Sequence, residues 1–207
     1  MMIFRSVQSL FITYTLIIVA GISIPLTYSG YVLMNDIIYQ SGTEILKDKL
    51  DSLLQPVTRR YDRLHKIGLE DSEAHIIEIH TDALKQLSDY SYKNSGSIFV
   101  LSEDSRMILS KEFRKNELIT DPAILTEIKM AREGIINYTA QGIKRLAVFR
   151  YYEPWNETIG LGIDKSELFS ARNMFLRIIL IVLVITLTLA AIAQLSLLKK
   201  IVRPLRQ

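Results

Sequence analysis

Two long stretches of this chain contain no Asp, Glu, Lys or Arg, and they constrain the fold and the location of the residues between them. The first extends from Ser6 to Asn35 and the second from Ile178 to Leu198. A helix needs about 20 apolar residues to cross the core of a bilayer, and both stretches reach that length. The first is longer than the apolar region of a signal peptide, roughly 7–15 residues. The sequence therefore predicts two membrane-spanning helices, at residues 10–34 and 178–198.

The charged residues orient these two helices. All 22 acidic residues lie between Asp36 and Arg177, whereas the charged residues outside this stretch are all basic. Basic residues beside a spanning helix stay in the cytoplasm, so we expect cytoplasmic ends at residues 1–9 and 199–207. Residues 35–177 are then a periplasmic or extracellular domain of an inner-membrane protein. The net charge of +3 comes from the basic ends, so it does not indicate nucleic-acid binding.

Two amphipathic helices are predicted at the start of this domain. One continues the first membrane span as a stalk, in which Pro56 should cause a kink or free a carbonyl. A second helix is expected from about Ser72. The apolar stripe of the stalk is also a candidate seam for a homodimer. Its residues recur at helical spacing: Leu46, Leu50, Leu53, Val57, Tyr61 and Leu64.

The second half of the domain has the pattern of short strands joined by tight turns. Gly96–Ser110 predicts a hairpin, and Asp121–Gly134 predicts a short helix with an Asp cap and a proline at its first position. Three strands should follow, at about residues 135–139, 144–152 and 158–163. Strands connected in this way form an antiparallel sheet, so the predicted fold class is α+β.

This order of elements resembles a single Cache domain, the PAS-like extracytoplasmic sensor of bacterial receptors. The likeness is carried by Gly96–Ser110, similar to the first hairpin of that family, and by "FRYYEPWNETIGLGIDKSEL" at Phe149–Leu168, similar to its closing strand pair. The chain departs from the common family pattern at Asn156-Glu157 and in lacking His-Pro after the first hairpin. The resemblance implies a ligand pocket on one sheet face, covered by about residues 111–124, and a parallel dimer.

The carboxyl-terminal segment "IVRPLRQ" resembles the start of a HAMP linker, with Arg203, Pro204 and Leu205 at the positions that carry the likeness. Its alternative is a basic flank that stops transfer of the second span. A HAMP linker implies that this sequence is the input half of a longer receptor, with a histidine kinase, chemotaxis rod or cyclic-dinucleotide enzyme as output.

Motifs for catalysis or for a metal are not evident. The chain has no Gly-x-Ser-x-Gly elbow and no phosphate-binding loop of the Gly-x-x-x-x-Gly-Lys type. Its three histidines, His65, His75 and His80, are explained by a solvated polar face. We therefore expect no catalytic residues, no metal and no cofactor in these 207 residues.

Ligand binding is the favoured chemistry. In the strand at residues 146–152 side chains alternate between faces, which places Arg150 and Tyr152 together on one of them. An arginine and a tyrosine on an apolar face could bind a carboxylate: the guanidinium through two hydrogen bonds and the phenol through one. The alternative is that Arg150 is a surface charge on a solvated face. From the predicted cover and pocket wall, further candidates are Phe113, Arg114 and Tyr138.

These features together predict the ligand-sensing input module of a transmembrane signalling receptor. A small extracellular metabolite, with a carboxylate as one candidate, would bind the domain and displace the second membrane helix. The alternative from another class is a membrane-anchored periplasmic module that contacts a partner protein and holds no small molecule. A sheet with blocked faces and a solvent-exposed Arg150 would favour that alternative.

Overall fold

The computed structural model describes residues 2–66, 68 and 72–202 and divides into two compact units. One contains the residues up to Ile37 and those from Ser170 onward, and the other is Ile38–Phe169. The first unit consists of parts of two helices, α1 (Met2–Lys66) and α5 (Ser170–Val202). Each has a stretch long and apolar enough to span a membrane. The HAMP prediction falls on Arg203–Gln207, which lie outside the described residues.

The unit Ile38–Phe169 combines helices with an antiparallel sheet and so confirms the predicted α+β class. The sheet order is β1-β2-β6-β5-β4, and β3 also pairs with β2. The short turn of 3-10 helix at Glu153–Trp155 joins β5 to β6. After the carboxyl-terminal part of α1, the elements in chain order are α2 (Glu73–Asp89), β1 (Ser91–Tyr92), β2 (Gly96–Ser102), β3 (Met107–Leu109), α3 (Pro122–Met130), β4 (Glu133–Ala140), β5 (Ile143–Tyr152), β6 (Glu157–Asp164) and α4 (Lys165–Leu168).

The stalk helix packs on one face of the sheet. Leu46, Leu50 and Val57 are at most 4% exposed and belong to the same core cluster as Leu146 and Leu161 of the sheet. The helix is continuous across Pro56. The apolar stripe considered as a homodimer seam is therefore covered by the chain's own sheet, which corrects that assignment. Homodimer formation itself stays a prediction.

The boundary between α3 and β4 differs from the predicted one. The helix ends at Met130 rather than at Gly134. Glu133 and Gly134 instead begin β4, paired with Arg150 and Phe149 of β5. The pairing of a long strand with β5 thus overrides the helix-terminating pattern of the local sequence. The turn between these two strands has the left-handed residues Gln141 and Gly142, with φ of 52° and 79°.

Candidate functional site

Strand β5, which lies between β6 and β4, presents a charged group on the sheet face opposite α1. On the α1 side, Leu146 and Val148 are buried in the core that includes the stalk. On the other side, Ala147 and Phe149 belong to a second core cluster, which lies with the loop and helix after β3. Arg145 shares this second face because side chains alternate along a strand. It is only 6% exposed.

Three polar side chains stand in a row across three neighbouring strands. The register pairs Arg145 of β5 with Tyr138 of β4 on one side and with Asp164 of β6 on the other. Ser97 of β2 lies beyond them, paired with Gly162 of β6. Directly paired residues of an antiparallel sheet share a face. The sheet itself therefore fixes the position of this polar row.

The guanidinium of Arg145 is held by charged and neutral acceptors. Its Nη1 lies 3.1 Å from a carboxylate oxygen of Glu112 and 3.1 Å from one of Asp164. Its Nη2 donates to the carbonyl oxygen of Ser95 at 2.6 Å and to Oγ of Ser97 at 3.1 Å. A buried charge is tolerated only when it is paired and hydrogen-bonded, as here. The cluster contains one cation and two carboxylates.

Glu112 reaches this cluster from the loop between β3 and α3. One of its carboxylate oxygens accepts a hydrogen bond from Ser97, and the other accepts one from Ser110 Oγ at 2.8 Å. Its backbone carbonyl accepts a hydrogen bond from Nε2 of Gln141 at 2.9 Å. The side chain of Glu112 is 10% exposed. The loop thus covers the polar row and contributes a carboxylate to it.

The opposite end of the cluster connects to the segment that precedes α5. The backbone N–H of Asp164 donates to Ser95 Oγ at 3.1 Å. Glu167 of α4 accepts hydrogen bonds from the backbone N–H groups of Asn94 and Ser95 at 3.0 and 2.9 Å. Burial alone would raise the pKa of Glu167, but these bonds and that of the Ser95 hydroxyl leave the pKa below its ordinary value. The turn before β2 thus contacts both the arginine and α4.

At the Tyr138 end of the polar row, Tyr138 and Phe113 form an aromatic wall. Tyr138 is 6% exposed, and Phe113 from the loop stacks on its ring with centroids 6.2 Å apart. Burial raises the pKa of the Tyr138 phenol well above its ordinary value, against the opposing influence of the Arg145 guanidinium. Tyr138 therefore stays neutral at all ordinary pH values and can act there as a hydrogen-bond donor.

The shifted pKa of Tyr138 predicts a loss of stability at high pH. The folded pKa lies above the unfolded value of about 10, so the unfolded chain releases this proton first as the pH rises. The free energy of unfolding should fall above about pH 10, by up to about 1.4 kcal/mol per pH unit from this group. Urea unfolding of Tyr138→Phe between pH 9 and 11 should show a shallower decline than the wild-type protein. An identical slope for both proteins would contradict the assignment.

No family model and no curated protein matches this chain. A solved Cache chemosensory domain, described for carboxylic acid recognition, is 17% identical with a TM-score of 0.50, over 63% of this chain and 97% of its own. The periplasmic sensor domain of a chemotaxis protein is 14% identical with a TM-score of 0.51, over 61% and 97%. This chain contains a domain of the Cache fold.

The predicted site residues are divided between the two faces of the Cache domain. Tyr138 and Phe113 lie together beside Arg145, whereas Arg114 is exposed on the loop. Arg150 lies on the α1 side, where it forms ion pairs with Asp51 and Glu133 at 2.6 and 2.9 Å. The structure therefore does not bring Arg150 to the aromatic wall. Its role in ligand binding stays a prediction.

Tyr152 belongs to an aromatic cluster at the end of the sheet that bears the 3-10 turn. Its ring lies edge-on to Tyr61 and Trp155, with centroids 6.1 and 4.7 Å apart. Trp155 donates from Nε1 to the hydroxyl of Tyr61 at 2.6 Å, and His80 binds the carboxylate of Glu157 at 3.1 Å. Tyr152 is thus part of the packing between α1, α2 and the sheet of the Cache domain.

Arg145, Glu112, Ser97 and Asp164 were missed at the level of sequence. The alternation predicted along β5 begins at residue 146, one position after Arg145. A usable signal was present in β6, where Gly160 and Gly162 alternate with Ile159, Leu161 and Ile163. Because the bulky apolar residues of β6 would pack against the apolar stripe of the stalk, its glycines are expected on the sheet face away from α1.

Proposed function

We propose that this chain is the sensory input module of a membrane-anchored receptor and that its Cache domain binds a small carboxylate outside the cytoplasm. The observation that carries the proposal is Arg145, a buried guanidinium on the sheet face opposite the stalk. Guanidinium groups bind carboxylates through paired, charge-assisted hydrogen bonds. The ligand-binding residues would be Arg145, Ser97 and Tyr138, with Phe113 as the covering ring.

Three further observations support this location. The opposite face of the sheet is filled by the stalk helix. The phenol of Tyr138 is neutral and can donate to a carboxylate oxygen. A solved domain of the same fold is described for carboxylic acid recognition. That description belongs to the other protein, and we extend it to this chain as part of the proposal.

The transmission route follows the chain from the arginine to the second apolar helix. Asp164 ends β6, α4 follows immediately, and α5 begins at Ser170. A ligand that changes the contacts of Arg145 changes those of its partner Asp164. It can shift the equilibrium between two states only by its difference in affinity for them. We propose that both apolar helices span the membrane, that both ends of the chain are cytoplasmic, and that the signal crosses the membrane through the second span.

The proposal is tested by calorimetric titration of the 207-residue chain in detergent micelles with organic acids, amino acids and amines. We expect a carboxylate to bind the wild-type protein. Arg145→Lys keeps the charge but loses the fork geometry, so affinity should fall roughly ten- to hundredfold. Arg150→Ala is the matched control and should bind as the wild type does. Loss of binding in Arg150→Ala with retention in Arg145→Lys would move the site to the α1 face.

A second candidate function is a periplasmic protein-interaction module without a small-molecule ligand. It is favoured by the placement of Arg150, which is 40% exposed and paired on a face that the stalk covers. Absence of binding for every compound in the titration would support this second function.

A further inference from the structure

The cation that would bind a carboxylate ligand already binds a carboxylate of its own chain. The carboxylate of Glu112 has three partners: it forms an ion pair with Nη1 of Arg145 at 3.1 Å and accepts hydrogen bonds from the hydroxyl of Ser97 and, at 2.8 Å, from the hydroxyl of Ser110. Two of these donors meet on one oxygen and the third meets the other oxygen. This is the donor arrangement that a small free carboxylate would need.

We propose that Glu112 is an internal competitor, which occupies the ligand's place on Arg145 and must leave when a carboxylate ligand binds. This inference rests on the proposed function and adds a regulatory step to it. The ligand replaces the Glu112 carboxylate on Arg145, Ser97 and Ser110. Departure of the side chain provides the space that the ligand occupies.

The charge balance of the cluster requires such an exchange. With Glu112 in place, Arg145 faces two carboxylates, those of Glu112 and Asp164. A ligand carboxylate added to this set would be a third negative charge beside one buried cation, and like charges in a desolvated site repel strongly. A ligand that replaces Glu112 leaves the charge of the cluster unchanged.

Glu112 is the carboxylate that can leave, and Asp164 is the one that stays. Asp164 is the last residue of β6 and is paired with Arg145 in the sheet register. Glu112 lies in the loop after β3, outside the strands. The backbone of Glu112 has two side-chain partners: its carbonyl accepts from Nε2 of Gln141, and its N–H donates to Oγ of Ser110 at 3.0 Å. Movement of this loop would also displace Phe113 from the ring of Tyr138 and so report ligand binding at the surface of the domain.

The test compares carboxylate affinity in Glu112→Gln with that of the wild-type chain, measured by calorimetry with acetate, propionate and lactate. A neutral amide binds the guanidinium more weakly, so the competent state is more populated and the apparent affinity should rise about tenfold or more. Glu117→Gln is the matched control, because Glu117 lies in the same loop, is exposed, and binds the backbone N–H of Arg114 at 2.8 Å. It should leave the affinity unchanged.

A second variant keeps the inference falsifiable if Glu112→Gln fails to fold. Gln141→Ala removes the hydrogen bond to the Glu112 carbonyl and should also raise carboxylate affinity, by a smaller factor.

Unchanged or weaker affinity in the folded variant overturns the inference but leaves the proposed function standing, provided the wild type binds. Tight binding of methylamine to the wild type that is lost in Glu112→Gln overturns the inference and the carboxylate assignment. No binding of any probe to any variant overturns both.

Discussion

Replacing Arg145 by alanine is expected to lower the free energy of unfolding of the Cache domain by about 3–5 kcal/mol. The substitution leaves the carboxylates of Glu112 and Asp164 without their cation, although their side chains are only 10% and 19% exposed. An unpaired charge in a desolvated site is far more costly than a lost surface contact. Urea denaturation followed by circular dichroism, on the 207-residue chain in micelles, measures the change.

The matched control for this prediction is Arg150→Ala. Arg150 forms as many ion pairs but is 40% exposed, and the solvent screens them, so the loss should not exceed about 1 kcal/mol. Neutralising both acids in the Arg145→Ala background, with Glu112→Gln and Asp164→Asn, should recover part of the stability. Equal losses for Arg145→Ala and Arg150→Ala would show that the buried cluster is not a charged unit.

The second large effect is expected for Leu46→Ala in the stalk helix. Leu46 is 1% exposed in the core between α1 and the sheet, so its truncation leaves a cavity. Such truncations lower the free energy of unfolding by about 2–5 kcal/mol. The same denaturation experiment measures it, with the protein concentration varied to separate folding from association.

Ile45→Ala is the control, since Ile45 is the adjacent residue and is 46% exposed. It should change stability by less than about 1 kcal/mol. If instead the wild-type unfolding midpoint rose with protein concentration and Leu46→Ala removed that dependence, the stripe would serve an interface between two copies. That result would restore the seam expected from the sequence.

Sequence patterns that extend over many residues predicted the fold well. The uncharged stretches gave the two apolar helices, and the strand and turn patterns from Gly96 onward predicted the antiparallel sheet. Periodicity correctly identified the apolar stripe of the stalk. Periodicity could not identify what covers that stripe, because an apolar helix face can be buried equally well by a sheet of the same chain or by another helix. The error at the end of α3 has the same origin, since pairing with β5 decides where β4 begins.

The candidate site was predicted less well than the fold. Tyr138 and Phe113 were chosen from the sequence and do lie side by side. Arg150 was the candidate because Leu146 and Val148 precede it on its own face, and Arg145 was not considered. That pattern marks the face buried by the stalk, not a pocket. Glu112 could not be found from the sequence, because its loop reaches Arg145 across 33 residues of chain and only the folded sheet brings them together.

The position of β6 restricts how this strand can move if it carries the proposed signal. The strand is hydrogen-bonded to β2 on one side and to β5 on the other. Sliding it by one residue would turn Ile159, Leu161 and Ile163 out of the stalk-facing core and would break both ladders at once. Piston-like slippage of this strand is therefore excluded as an inexpensive movement. A signal of the proposed kind would then require the sheet to tilt as a unit or α4 to pivot about Asp164.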